Sequence, residues 1–139
     1  MDPFSVDLDF RTIERLSRDR NIDFLILLAL GMDANRNMAV YLEAHHGRIE
    51  RFLGDANWRE RWAKAQEGGM RFTYFLATSY IAAMDRIGYP GTTPEDMYQV
   101  RSDTKNLGLY YLAFFSRHPL GHRFWRDVLH YTDDQLPLL

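Results

Sequence analysis

The stretch that decides the fold is Ile22-Asp23-Phe24-Leu25-Ile26-Leu27-Leu28-Ala29-Leu30, which lies between Asn21 and Gly31. A continuous apolar run bounded by turn residues is typical of a strand that is buried on both faces, as in the parallel sheets of α/β proteins. Leucine-rich runs also form core helices. The short length and the glycine stop favour a strand over residues 22–30.

Helices are predicted on both sides of this strand. Upstream, Phe10, Ile13 and Leu16 are spaced three apart, which predicts an amphipathic helix over residues 9–20. Downstream, apolar spacing and glycine stops predict helices over residues 38–45, 48–53, 58–66 and 70–87.

The C-terminal part of the chain predicts a hairpin followed by a closing helix. Residues 97–101 are predicted as a short strand, 102–106 as a turn, and the aromatic run 107–116 as a longer strand. Pro119 suits the first turn of a helix that runs to residue 131, with a loose tail after it. This helix is expected to bury Leu120, Phe124, Trp125, Val128 and Leu129.

Composition limits the classes of protein that the chain can belong to. With 139 residues, 46% apolar and 26% charged, it has the size and composition of one core-forming domain. The chain contains no cysteine, which excludes disulfides, thiolate zinc sites, iron–sulfur ligation and cysteine nucleophiles. No apolar run reaches the ~20 residues of a membrane span, and no signal peptide opens the sequence, so we expect a cytoplasmic protein.

The predicted sheet is incomplete within this chain. A strand buried on both faces needs neighbours on both edges, and only two other strands are predicted. No G-x-G-x-x-G or P-loop motif occurs, and Gly68-Gly69 follows a helix rather than a strand, so it is a poor phosphate or adenosyl loop.

Four motifs carry a resemblance to a known family. They are Asp2-Pro3-Phe4 leading to Asp9-Phe10-Arg11-Thr12-Ile13; Ile22-Asp23-Phe24-Leu25 leading to Gly31-Met32-Asp33-Ala34-Asn35-Arg36-Asn37; Arg51-Phe52-Leu53-Gly54-Asp55 with Trp58; and Tyr110-Tyr111-Leu112-Ala113-Phe114-Phe115-Ser116-Arg117-His118-Pro119-Leu120-Gly121. Their order and spacing resemble the C-terminal half of the three-Cys-motif partner (TcmP) family. The members of that family resemble class I S-adenosylmethionine-dependent methyltransferases.

This resemblance implies a fold and a domain organisation. In the class I methyltransferase sheet, with strand order 3-2-1-4-5-7-6, residues 22–30 would be the fifth strand, 97–102 the sixth and 107–116 the seventh, which inserts antiparallel between them. The resemblance therefore implies that residues 107–116 are the central strand of three, antiparallel to both 22–30 and 97–102. The first strands, with their glycine-rich donor loop, would be absent from this chain. The expected fold class is therefore α/β, a partial Rossmann-like methyltransferase sheet with a terminal antiparallel hairpin and inserted helices. Residues 1–139 would form a single, incomplete domain.

Two groups of residues are candidates for a site. Asp2-Pro3-Phe4 resembles the D/N-P-P-Y/F site of amino-methyltransferases, although with one proline only. In that site the acid and a proline carbonyl hold the target amine, and the aromatic ring stacks on the substrate. The alternative is an ordinary Asp-Pro turn.

The second group is a polar cluster just after the 22–30 strand, at the end of the strand where ligands usually bind in such sheets. It is a candidate for substrate binding, and the alternative is a structural loop. The cluster comprises Asp33, Asn35, Arg36 and Asn37.

Other polar clusters favour structural roles. His118 and His122 are four residues apart, but no third ligand lies nearby in sequence, so capping or surface roles are favoured and no metal site is predicted. The same holds for His45-His46. A net charge of −2 gives no general attraction to nucleic acid. The arginines that alternate with acids across residues 48–71 favour a solvated helical face over a nucleic-acid groove.

Two functions follow from these expectations. In the first, the chain is the C-terminal part of a methyltransferase-like TcmP protein. It then lacks activity by itself, S-adenosylmethionine binds only a full-length form, and a protein with three cysteines is the implied partner. In the second, the chain is a non-catalytic interaction module whose exposed sheet edge docks on a partner protein. Both place a docking surface at the open edge of the 22–30 strand. The first also predicts that the isolated chain self-associates through this edge, with Phe10, Ile13 and Leu16 partly exposed.

Overall fold

The strand predicted over residues 22–30 is present as β1. The computed structural model describes residues 8–28, 47–101 and 109–135, and it is a mixed α/β structure. Its elements are α1 (Phe10–Ser17), β1 (Phe24–Leu28), α2 (Arg48–Leu53), α3 (Trp58–Glu67), α4 (Phe72–Arg86), a 3-10 turn (Pro94–Asp96), β2 (Tyr98–Arg101), β3 (Leu109–Phe115) and α5 (Pro119–Gln135). The helix predicted over 38–45 and the turn predicted over 102–106 lie outside the described residues.

The three strands form one antiparallel sheet in the order β1-β3-β2. Ile26 lies opposite Ala113 in the β1–β3 pair, and Val100 lies opposite Tyr110 in the β2–β3 pair. The prediction that residues 107–116 supply the central strand, antiparallel to both neighbours, is confirmed. The last strand in sequence is therefore the middle strand in space.

The two faces of the sheet differ in burial. Successive side chains of a strand point to opposite faces. Phe24, Ile26 and Leu28 are buried on the face that we call the inner face, together with Ala113 and Phe115. The opposite, outer face carries Leu25 and Leu27, whose exposed fractions are 57% and 45%. The prediction that this strand is buried on both faces is therefore wrong, because the core cluster gathers α1–α4 on the inner face only.

Tyr80 of α4 is the centre of the inner core. Its ring is fully buried and contacts Phe10 of α1, Phe52 of α2 and Phe115 of β3, at centroid distances of 5.9, 4.8 and 5.8 Å. The expectation that Phe10 and Ile13 are partly exposed is wrong. Both are buried because α1 packs on α2 and on Tyr80 rather than on a larger sheet. Leu16 is partly exposed, as expected, at 40%.

Helix α5 packs on the outer face, but with a different side from the one predicted. Trp125 is buried; it stacks on Phe114 at 5.6 Å, and its Nε1 donates to the backbone oxygen of Asp96 at 2.6 Å. Leu120 and Phe124, predicted to be buried, are 74% and 63% exposed. At 100° per residue, a helix that turns Trp125 onto the sheet carries these two side chains on another side, where they are open to solvent. The helix also continues to residue 135, where a loose tail was predicted.

Candidate functional site

The site residues predicted from the sequence fall outside the described part of the chain. This applies to Asp2, Pro3 and Phe4 and to the polar cluster after β1, Asp33, Asn35, Arg36 and Asn37. It applies also to His45-His46. Among the described residues, a candidate site lies where the sequence predicted none.

An open groove of about 900 Å³ lies between the start of β1 and the N-terminal half of α5, and we call it the α5 groove. Phe114 of β3 and Leu120 and Phe124 of α5 contribute its apolar lining. Asp23, Arg123 and Asp127 add charges of both signs. Leu25 lies opposite Phe114 in the sheet register, on the same face, so exposed apolar surface extends from α5 to β1.

A tight turn between β3 and α5 fixes one end of the groove. Ser116 is fully buried, and its Oγ accepts a hydrogen bond from the backbone N–H of His118 at 3.1 Å. Gly121 lies so close to Ser116 that a Cβ on Gly121 would stand 2.7 Å from the Ser116 Cβ, which real side chains do not tolerate. Glycine at position 121 therefore lets the first turn of α5 sit directly against the end of β3.

His122 ties α5 to this turn. Its ring Nε2 donates to the backbone oxygen of Ser116 at 3.1 Å, and its ring meets Phe114 edge-on at 6.5 Å. His118 is exposed. Across residues 8–28, 47–101 and 109–135, no three His, Asp or Glu side chains come together to hold a metal ion. The contacts of His122 are those of a structural side chain.

Arg117 and Tyr89 hold the start of β1 beside the groove. The guanidinium of Arg117 donates to the backbone oxygens of Ser17, at 2.9 Å, and Arg20, at 2.5 Å, and lies 4.5 Å from the centre of the Tyr89 ring. The Tyr89 hydroxyl donates to the backbone oxygen of Ile22 at 2.7 Å. Burial raises the pKa of Tyr89, against the opposing effect of Arg117. These two side chains place the α1–β1 connection, and with it Asp23, at the mouth of the groove.

Among the arginines of residues 48–71, Arg61 is half-buried and bonds groups of its own chain. Arg61 makes a 2.6 Å ion pair with Asp55 and donates to the buried Ser79 hydroxyl at 3.2 Å. Burial alone would raise the pKa of Asp55, but the backbone N–H of Asn57 and the Arg61 guanidinium outweigh it and lower that pKa. Arg61 joins the α2–α3 connection to α4 and is used within the chain.

The chemistry of the groove suits binding. The buried Ser116 hydroxyl is occupied by the backbone of its own turn, and His122 bonds a carbonyl oxygen rather than a hydroxyl, so these residues form no nucleophile–base pair. An apolar lining with a few charges at its margin is the composition of a site that docks apolar surface. No signal in the sequence could locate it, because Asp23 and the α5 residues are about a hundred positions apart.

No family model, no curated protein and no solved structure matches the chain. No helix of the described residues is long and apolar enough to cross a membrane.

Proposed function

We propose that this chain is the C-terminal part of a methyltransferase-like domain of the TcmP type, and that it supplies the last three strands of the sheet. The observation that supports the proposal is the strand order β1-β3-β2. In chain order these would be the fifth, sixth and seventh strands of the class I methyltransferase sheet, and in space the seventh would lie between the fifth and sixth.

This order is informative because simpler arrangements exist. Strands that follow one another in sequence usually lie side by side, which would give the order β1-β2-β3. Here the chain leaves β1, passes through α2, α3 and α4, and returns in β2 at the far edge of the sheet. Since β3 is antiparallel to both neighbours, β1 and β2 run parallel to each other. Insertion of the final strand between two parallel strands is the feature shared with the methyltransferase sheet.

The edge of β1 supports the same proposal. Within the described residues, β1 pairs with β3 on one side and has no partner strand on the other. A strand whose five residues are Phe-Leu-Ile-Leu-Leu, open at its edge and apolar on its exposed face, is suited to a further strand and a covering helix. In the proposed domain, the fourth strand of the sheet would pair at this edge.

On this proposal the chain by itself transfers no methyl group, because a full-length form would bind S-adenosylmethionine through strands that are not in this sequence. Titration calorimetry of the purified chain with S-adenosylmethionine, up to millimolar ligand, tests it. We expect no saturable heat. Saturable binding at micromolar ligand would overturn the half-domain proposal.

A second candidate is a non-catalytic interaction module whose β1 edge docks on another protein. The open edge of β1 favours it equally, since its unpaired backbone N–H and C=O groups are a template for pairing and the exposed Leu25 and Leu27 lie beside them. The genomic DNA upstream of Met1 distinguishes the two. An in-frame extension of roughly 150–200 residues with a glycine-rich strand–loop–helix supports the methyltransferase-like domain, whereas a ribosome-binding site with no such extension supports the module.

For either candidate, the partner that we propose is a protein that carries a three-cysteine motif, as the TcmP resemblance implies. Binding is tested with a purified protein of that kind and with the double variant Leu25→Ser, Leu27→Ser as the control. Because both leucines are exposed, the variant should keep the fold and lose the partner. Equal binding by both chains would place the contact elsewhere.

A further inference from the structure

The outward side of α5 carries an apolar seam. Leu120, Phe124 and Tyr131 are 74%, 63% and 67% exposed. With Asp127 they are spaced four, three and four residues apart, so that all four project from one side of the helix. This is the spacing with which one helix packs along another in a coiled coil. We call these four residues the α5 seam.

Two charges accompany the seam. Asp127 is a member of it and Arg123 borders it, and both are exposed. Neither takes part in any of the ion pairs found among the described residues, unlike the neighbouring Arg126, which bonds Asp96 at 3.4 Å. One positive and one negative charge, four residues apart beside an apolar seam, are therefore available to a partner.

We propose that the α5 seam binds the α5 seam of a second copy of this chain, with the two helices antiparallel. In a two-fold arrangement centred between residues 125 and 126, Leu120 lies across from Tyr131 of the other copy. Phe124 lies across from Asp127 of the other copy, and Arg123 of each copy comes within reach of the other copy's Asp127. The seam is therefore complementary to itself, as a two-fold interface requires.

The charges select this arrangement against its rival. A parallel pairing would place the two Asp127 carboxylates in one layer of the seam, where their like charges repel and no cation of the seam lies between them. The antiparallel pairing gives each Asp127 an arginine. A polar residue within an apolar seam fixes the register and orientation of paired helices at some cost in stability. Asp127 has that position here.

A second copy would cover apolar surface that the described residues leave exposed. Leu120 and Phe124 of the seam also line the α5 groove, together with Phe114 of β3. A second α5 laid along the seam covers these two side chains and Tyr131. The proposal does not depend on the function proposed above, because it concerns α5 and not the open edge of β1.

Light scattering coupled to size-exclusion chromatography tests the proposal on the 139-residue chain. We expect twice the chain mass at micromolar concentration. Arg123→Glu brings a second carboxylate beside the other copy's Asp127, and Asp127→Arg brings two guanidinium groups together, so each variant should dimerise about tenfold more weakly or worse. An equal mixture of the two variants restores opposite-charge contacts and should dimerise again. Arg18→Glu, the same charge change on the exposed arginine after α1, should leave the mass unchanged.

Each alternative result overturns the proposal. A wild-type chain that stays monomeric shows that nothing of its own kind covers the seam. A dimer that persists in Arg123→Glu and in Phe124→Glu shows association elsewhere, with the β1 edge as the place to examine. Variants that remain monomeric in the mixture exclude the antiparallel register. Thermal melts followed by circular dichroism accompany every variant, and substitutions at the exposed positions 123, 124 and 127 should keep the cooperative transition of the wild type.

Discussion

The two faces of the sheet carry side chains of the same chemistry, but those on the inner face are buried and several on the outer face are exposed to solvent. On the inner face, Leu28 and Phe115 are at most 1% exposed and pack within the aromatic core around Tyr80. On the outer face, Leu25 and Leu27 remain about half exposed although they belong to the same strand. A strand in a sheet with one solvated face normally alternates apolar and polar residues. The absence of alternation in β1 therefore leaves two leucines on a face that α5 covers only in part.

Truncation of neighbouring leucines measures this difference most directly. Leu28→Ala should lower the free energy of unfolding by about 2–5 kcal/mol, because it opens a cavity in the inner core. Leu27→Ala removes the same atoms from the outer face and should cost under about 1 kcal/mol. Urea denaturation of the two variants and the wild type, at a concentration where the chain is monomeric, gives both values. Equal losses would show that the outer face is covered in solution.

A substitution at the β3–α5 turn tests how firmly α5 is held on the outer face. Gly121→Ala forces a Cβ against Ser116 and should destabilise the chain by about 1–3 kcal/mol, the usual cost of overpacking. The expected damage is local to this turn, so the contribution of Trp125 to the tryptophan fluorescence should change, whereas Trp58 and Trp62 lie in the inner core and should keep theirs. Gly68→Ala is the control, since a Cβ there meets only ordinary contacts and its φ is −80°. A neutral Gly121→Ala would mean that the turn can open without cost.

The smallest expected effect concerns the helical layer behind the inner face. Asp55 has a pKa lowered by the Asn57 N–H and Arg61 against the effect of burial, so the pair stabilises the fold above the unfolded-state pKa of about 4. That contribution is lost as the pH falls through the lower pKa of the folded state. Asp55→Asn should cost about 1 kcal/mol at pH 7, and the difference from wild type should shrink below about pH 4.

Urea denaturation at a series of pH values checks this dependence. Glu60→Gln, an exposed acid on α3, is the matched control and should run parallel to the wild type. A difference between Asp55→Asn and the wild type that persists unchanged in acid would show that the carboxylate charge is not what stabilises the α2–α3 connection.

The strands themselves could be predicted because they rest on local signals, namely an apolar run stopped by glycine and an aromatic, β-favouring run after a turn. Their order in space was expected only from the resemblance to the methyltransferase sheet. Which side of β1 and which side of α5 face solvent could not be predicted. Residues 22–30 carry no polar alternation, and α5 has large apolar residues on more than one side. What selects its inward side is the hydrogen bond from Trp125 to Asp96, a contact between positions 29 residues apart. The hydrogen bonds of Arg117 to the backbone of Ser17 and Arg20 join residues still further apart in sequence, and no local sequence pattern predicts them.

The position of β3 also determines when the sheet can form. The chain is synthesised from its N-terminus, and β1 and β2 have no hydrogen-bonded neighbour among the described strands until residues 109–115 have emerged. At about 5–20 residues per second, the ribosome leaves the leucine-rich β1 without its partner for on the order of several seconds. Pairing residues 24–28 with 111–115 then closes a long loop, which slows folding. The nascent chain therefore passes through a stage in which β1 and β2 are synthesised but lack the β3 strand that both pair with. A premature stop before Leu109 would release a chain that cannot form this sheet.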